Sequence, residues 1–181
     1  MKLQFILMTL FLSAVAAPVK TAPVKTMNEI KAIAKAQMKA MGPYVGNWVG
    51  EMHSDLTHGK IATMVCTYNN DFMLDSIYLV ASSSCKAKDN GEVIESKWAY
   101  TYDAPKEKFR LWGFGPTGIV LEYQGKRTGS RMVWNMVPGQ YKFRGDMLEE
   151  IVGDSLKTIG QNYTPGGKLL EKSSGIFKRV R

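Results

Sequence analysis

Three residues have the types that acyl-transfer chemistry needs. Ser155, in Gly153-Asp154-Ser155-Leu156, is a nucleophile, while Asp55-Leu56-Thr57-His58 offers His58 as a base and Asp55 as the acid that would orient it. A serine becomes reactive only when a base can take its proton, so the fold would have to join segments about a hundred residues apart. Gly-Asp-Ser is also the composition of an ordinary hairpin turn. Metal chemistry has less to work with. His53 and His58 lie five positions apart in a strand-to-turn region, and there is no Cys-x-x-Cys or His-Glu-x-x-His spacing. The methionines are dispersed and read as core filler rather than copper ligands. No phosphate loop is present, so neither metal nor cofactor is expected. Asp71, Asp75, Glu149 and Glu150 read as solvated or turn residues, with no pair spaced for acid–base work.

Cys66 and Cys85 are the two cysteines. A disulfide between them would close a loop of about 19 residues and contribute about 3 kcal/mol. If Asn69-Asn70-Asp71 turns a hairpin, Cys66 faces a residue near Asp75 and Cys85 lies roughly 30 Å further along the strand, beyond the reach of a bridge. A bulge, a break at Ser82-Ser83-Ser84 or a different turn would bring the pair together.

The compartment allows such a bridge. Residues 1–16 have the plan of a secretory signal: Lys2 for the positive start, Phe5 to Leu12 for the apolar run, and Ala14-Val15-Ala16 for the small-residue cleavage site. The run is well short of the roughly 20 residues that span a bilayer, and no later segment is apolar enough to do so. An exported protein, periplasmic or extracellular, is expected. The formal net charge is +8, but the Lys and Arg residues are scattered, with only short groups such as Lys126-Arg127 and Lys178-Arg179. A basic surface of that kind does not point to nucleic acid.

Residues 17–26 form a tandem repeat, Ala17-Pro18-Val19-Lys20-Thr21 and Ala22-Pro23-Val24-Lys25-Thr26, which reads as an extended linker. A helix is predicted over residues 27–42. It opens on a capping box of Thr26 and Glu29, carries Ile30, Ile33, Ala34, Met38 and Met41 at helical spacing, and ends at Gly42-Pro43. It would cover an open barrel end or pack on an outer wall.

From residue 43 to 181 the chain is punctuated by turn signals every 8 to 14 residues or so, with Asn90-Gly91 the sharpest. About ten antiparallel strands in up-and-down order are most simply accommodated by closing the sheet, which removes its edges. Ile94, Trp98, Tyr100 and Tyr102 share one face of a strand, Met132, Trp134 and Met136 one face of another, and Trp112 sits beside them in the strand before Gly115. These stripes either fill a core or line a ligand cavity.

Gly46-Asn47-Trp48-Val49-Gly50 at the front, Trp98 to Phe114 in the middle and Ser174-Gly175-Ile176-Phe177-Lys178-Arg179 at the end resemble the calycin, or lipocalin-like, superfamily. More narrowly, the chain is similar to an uncharacterised family of secreted bacterial barrels with a Gly-x-Trp-x-Gly start, a central Tyr-Asp hairpin with a Trp-Gly pair, and a basic closing strand. The resemblance implies a single antiparallel up-and-down barrel closed near Gly46, Trp48 and Gly50, with Trp48 under Arg179 or Arg181 in a cation–π contact. A related branch, the nitrobindin-like barrels, binds haem through a late His, and here the only histidines are early. The Ser155 segment resembles the nucleophile block of Gly-Asp-Ser-Leu esterases, but in that family the Ser comes before the Asp and His, within an α/β domain. The expected function is therefore non-enzymatic binding of a small, largely apolar molecule by a monomer or weak dimer. Trp98, Tyr100, Tyr102, Trp112, Met132, Trp134 and Met136 would line the site, with Tyr100, Tyr102 or Asn135 orienting the ligand. A filled barrel acting as an interaction scaffold is the other reading.

Overall fold

Apolar residues at period two, repeated between turn signals, build ten antiparallel strands that close on themselves. They are β1 (Gly46–Leu56), β2 (Lys60–Met73), β3 (Tyr78–Ala87), β4 (Val93–Asp103), β5 (Lys108–Phe114), β6 (Val120–Thr128), β7 (Arg131–Met136), β8 (Arg144–Val152), β9 (Ser155–Tyr163) and β10 (Leu169–Val180). The computed structural model describes residues 25–56, 60–139 and 141–181. The signal-like segment, linker residues 17–24 and the predicted turn at His58-Gly59 lie outside them. Each strand pairs with its neighbours in sequence, and β1 pairs with β10 from Asn47↔Val180 to Asp55↔Lys172, so no edge is left open.

The closure needs two glycines. A Cβ on Gly50 would lie 2.0 Å from the Ile176 carbonyl oxygen, and Gly46 has φ +122° with Arg179 Nη1 2.9 Å from where its Cβ would stand. Arg179 uses that space: its guanidinium sits 4.3 Å from the Trp48 ring centre, donates to the Pro43 oxygen at 2.6 Å and to the Val45 oxygen, and lies 3.8 Å from Asp154. Arg181 is 3.4 Å from Asp154 and makes no contact of this kind with the indole.

The N-terminal helix, α1 (Met27–Met38), starts where the sequence predicts. The Thr26 hydroxyl accepts from Glu29 N at 3.3 Å, and Thr26 N donates to the Glu29 carboxylate at 2.6 Å. Residues Lys39–Tyr44 then tighten into a 3₁₀ turn that contains Pro43, which has no N–H to extend the helix. Met38 and Met41 are fully buried and Tyr44 nearly so, all within the barrel's core cluster. Lys31 and Lys35 pair with Asp75 at 3.6 and 2.7 Å, and Lys25 lies 4.0 Å from Glu107. Asp75 and Glu107 belong to the β2–β3 and β4–β5 turns, at the end where β1 begins, so the helical segment closes that end.

One turn differs from expectation and corrects the cysteine argument. Asn69-Asn70-Asp71 lies inside β2, because inward alternation continues through Tyr68, Asn70 and Phe72, and Asn70 Nδ2 bonds the Tyr44 oxygen at 3.0 Å. Packing overrides turn composition there. The hairpin turns instead at Leu74, Asp75 and Ser76, three successive residues with φ of 50°, 59° and 64°. Cys66 then faces Cys85 directly, and the two are bridged. Replacing both cysteines by serine should lower stability by about 3 kcal/mol, given the 19-residue separation. Urea unfolding of the double variant checks this; an unchanged midpoint would count against it.

Candidate functional site

Alternation assigns every strand an inner and an outer face. Inside, a cavity of about 300 Å³ runs from Tyr44 and Glu149, beneath the helical plug, to Asn162 and Ser173 toward the opposite end. Met52, Met64, Tyr68, Ala81, Trp98, Leu121 and Tyr123 supply much of its apolar wall. Two inward-facing indoles are seated close against the wall, and one of them, Trp98, borders the cavity. Trp98 lies opposite Gly113 and Trp134 opposite Gly125, and a Cβ on either glycine would come within 2.4 or 2.3 Å of the facing ring. The missing side chains leave notches, and the rings occupy them.

Of the residues expected to line the site, Trp98 and Tyr100 border this cavity. Tyr102 is on the same face but packs edge-on against Phe109, ring centres 5.0 Å apart. Met132, Trp134 and Met136 are buried in the packed part of the core. Trp112 is a correction: it belongs to the outer face, with Arg110 stacked 5.2 Å from its ring. The inward positions of β5 are Phe109, Leu111 and Gly113, and the glycine left no apolar mark in the sequence to reveal that parity. Asn135 is also outside, bonded to Asp146 at 2.9 Å, and so does not face a ligand.

The residue that sequence reasoning missed is Glu149. It is 5% exposed, not solvated, and it borders the cavity from β8. Trp134 Nε1 donates to Oε2 at 2.8 Å and Tyr100 Oη donates to Oε1 at 3.0 Å. The signal was Met147-x-Glu149-x-Ile151, a carboxylate in step with two apolar residues on the inward face of the strand. Burial pushes its carboxyl up to about 7, against the lowering effect of the Trp134 and Tyr100 hydrogen bonds. The surrounding phenols move the same way. Burial, then the charge of Glu149, pushes Tyr68 up to about 12 and raises Tyr44 and Tyr100 as well. Tyr123 is pushed up to about 12 by burial, with Asp146 and Glu171 adding to it. Glu171 is held by Ser54 and by Asn162 at 2.9 Å.

The hydrolase constellation is not assembled. Ser155 begins β9 at the plugged end, its Oγ accepting from Lys178 Nζ at 2.7 Å. Through Lys178 that level corresponds to Val49 on β1, six residues from Asp55, a span of roughly 20 Å. His58 lies outside the described residues. His53 is exposed, with Thr63 as its partner at 3.1 Å, so no described histidine reaches the lumen. No cluster of metal-binding type occurs among the described residues.

No family model matches the chain, and no curated protein does. Among solved structures it is similar to Rv2717c from M. tuberculosis, at 16% identity and a TM-score of 0.62 over 80% of this chain and 97% of that one. It is also similar to the S-type phycobiliprotein lyase CPES from Guillardia theta, at 14% identity and a TM-score of 0.60 over 87% and 99%. At these identities the likeness is one of fold, a closed antiparallel β-barrel.

Glu149 gives this fold a pH signature. Its folded form holds a proton more tightly than the unfolded chain between the ordinary 4.5 and about 7. The corresponding stability is fully present below pH 4.5 and is lost as pH rises through 7, a total of about 3 kcal/mol. Glu149→Gln removes that dependence. Urea unfolding at steps from pH 4.5 to 7.5 should show the variant gaining on the wild type by about this amount; parallel profiles would refute the assignment.

Proposed function

We propose that the chain is an exported, non-enzymatic carrier, monomeric or weakly dimeric, that holds a small and largely apolar molecule inside its barrel. The observation that carries this reading is the cavity of about 300 Å³ inside the barrel, with its methionine and aromatic wall. That volume is at the small end of the range for ligand pockets. Each 100 Å² of apolar ligand surface removed from water there would stabilise the complex by about 2.5 kcal/mol.

Export is supported by the signal-like segment at residues 1–16 and by the Cys66–Cys85 bridge, which suits an oxidising compartment such as the periplasm or the exterior. A carrier rather than a catalyst is favoured by the separation of Ser155 from Asp55 and by the engagement of Ser155 with Lys178. One of the similar barrels is a phycobiliprotein lyase, but that likeness is of fold and adds no reaction here.

A second reading, a scaffold working through its outer surface, is favoured by a broad concavity outside the barrel. Val49, Val80, Ala99, Phe114 and Val180 contribute to it. The two readings separate in one experiment. Native mass spectrometry of mature protein, purified without detergent from the exported fraction, should show an added mass that denaturation removes. Ala81→Leu, which puts a larger side chain into the cavity wall, should abolish that mass while leaving the circular dichroism spectrum unchanged. A bare polypeptide in the wild type would reject the carrier and turn attention to the outer concavity.

A further inference from the structure

A chain of formal net charge +8 would be expected to draw anions. Its chamber has the opposite character. Glu149 borders it with two hydrogen bonds, from Tyr100 and Trp134, whereas a carboxylate can accept about four. Asn70 borders it too and is equally buried, at 5% exposed. Its Nδ2 donates to the Tyr44 oxygen, but its Oδ1 is buried without any hydrogen-bond partner. An orphaned buried acceptor is costly and is a mark of an absent donor. Among the described residues that border the cavity there is no lysine, arginine or histidine. Tyr44 from the 3₁₀ turn, Tyr68 from β2 and Tyr100 from β4 surround Glu149, and all three phenols are held neutral by burial and by its charge. Arg127 and Glu150 act only at one remove, through Tyr44.

We propose that the chamber selects a small organic cation, a protonated amine on an apolar body, with its ammonium paired to Glu149 and a second donor serving Asn70 Oδ1. The inference rests on the carrier reading and names its ligand class. An anion such as a fatty carboxylate would meet Glu149 with no compensating cation, whereas an amine supplies the donors both groups lack. Tyr68 and Trp98 offer aromatic faces beside it.

Isothermal titration calorimetry with tryptamine, tryptophol and indole-3-propanoate tests this, since the three share an indole body and differ in the head group. At pH 7.5 tryptamine should bind the full mature protein at least about tenfold tighter than either of the others, the scale of a charge-assisted bond. Glu149→Gln should bring tryptamine to within about threefold of tryptophol and leave tryptophol itself unmoved. The wild type provides a readout that needs no variant. Tryptamine affinity should rise about tenfold or more between pH 5.5 and 7.5 as Glu149 gives up its proton, while tryptophol affinity stays flat. If tryptophol or indole-3-propanoate matches tryptamine, or if tryptamine affinity ignores both pH and Glu149→Gln, the cation inference falls and the carrier stands. If tryptamine does not bind, the inference falls as well, and the native mass then decides whether the carrier falls with it.

Discussion

The Arg179 guanidinium on the Trp48 ring is the contact on which the architecture converges. Closing a sheet of ten strands requires the first and last to meet in register, and here that seam is pinned by a cation that reaches three partners besides the ring. Two of those partners, the Pro43 and Val45 oxygens, sit where the 3₁₀ turn gives way to β1 and regular hydrogen bonding lapses. A third, Asp154, belongs to the β8–β9 turn. A lysine, with one compact charge and no planar fork, could not serve a ring face, two carbonyls and a carboxylate together. Helix exit, first strand, last strand and one hairpin turn are therefore positioned by a single side chain, and Gly46 and Gly50 are the backbone conditions for its approach.

Tyr44 carries that order inward. Its oxygen accepts from Trp48 Nε1 at 2.9 Å and from Asn70 Nδ2 at 3.0 Å, while its hydroxyl donates to the Glu149 main-chain oxygen at 3.4 Å. The plug, the seam and the polar floor of the chamber thus share one residue. This matters because a buried carboxylate is destabilising in itself, and it persists only where rigid donors hold it. Trp134 and Tyr100 provide those donors, and their rings meet edge to face with centres 5.7 Å apart. The molecule is basic outside and acidic within, an arrangement that net charge alone could not reveal.

Much of the fold was legible because it is written in repeated, local signals. Period-two alternation and hairpin turns lead to ten strands, the Thr26–Glu29 box marks the helix start, and the Gly-x-Trp-x-Gly and closing basic motifs mark the two sides of the seam. The site was legible only in part, because its decisive features depend on pairing across strands. Asn69-Asn70-Asp71 has turn composition but is held extended by what its neighbours bury, and that single displacement hid the partnership of Cys66 with Cys85. Glu149 stands beside Glu150, and two consecutive acids suggest a solvated stretch although a strand sends them to opposite faces. Trp112 invited an inward reading since its inward neighbour, Gly113, carries no side chain to signal parity.

Those glycines have a consequence for how such a chamber can change. At 113 and 125 the wall is as thin as a polypeptide allows, and each indole rests in the hollow so made. The bore is set by what the wall lacks. One carbon added at 113 would press on the Trp98 plate that borders the lumen, and one at 125 on the Trp134 plate packed in the core. Chamber size is thereby adjustable in single-atom steps, independently of the seam that keeps the barrel shut, so descendants of this chain could diverge in what they hold without diverging in shape.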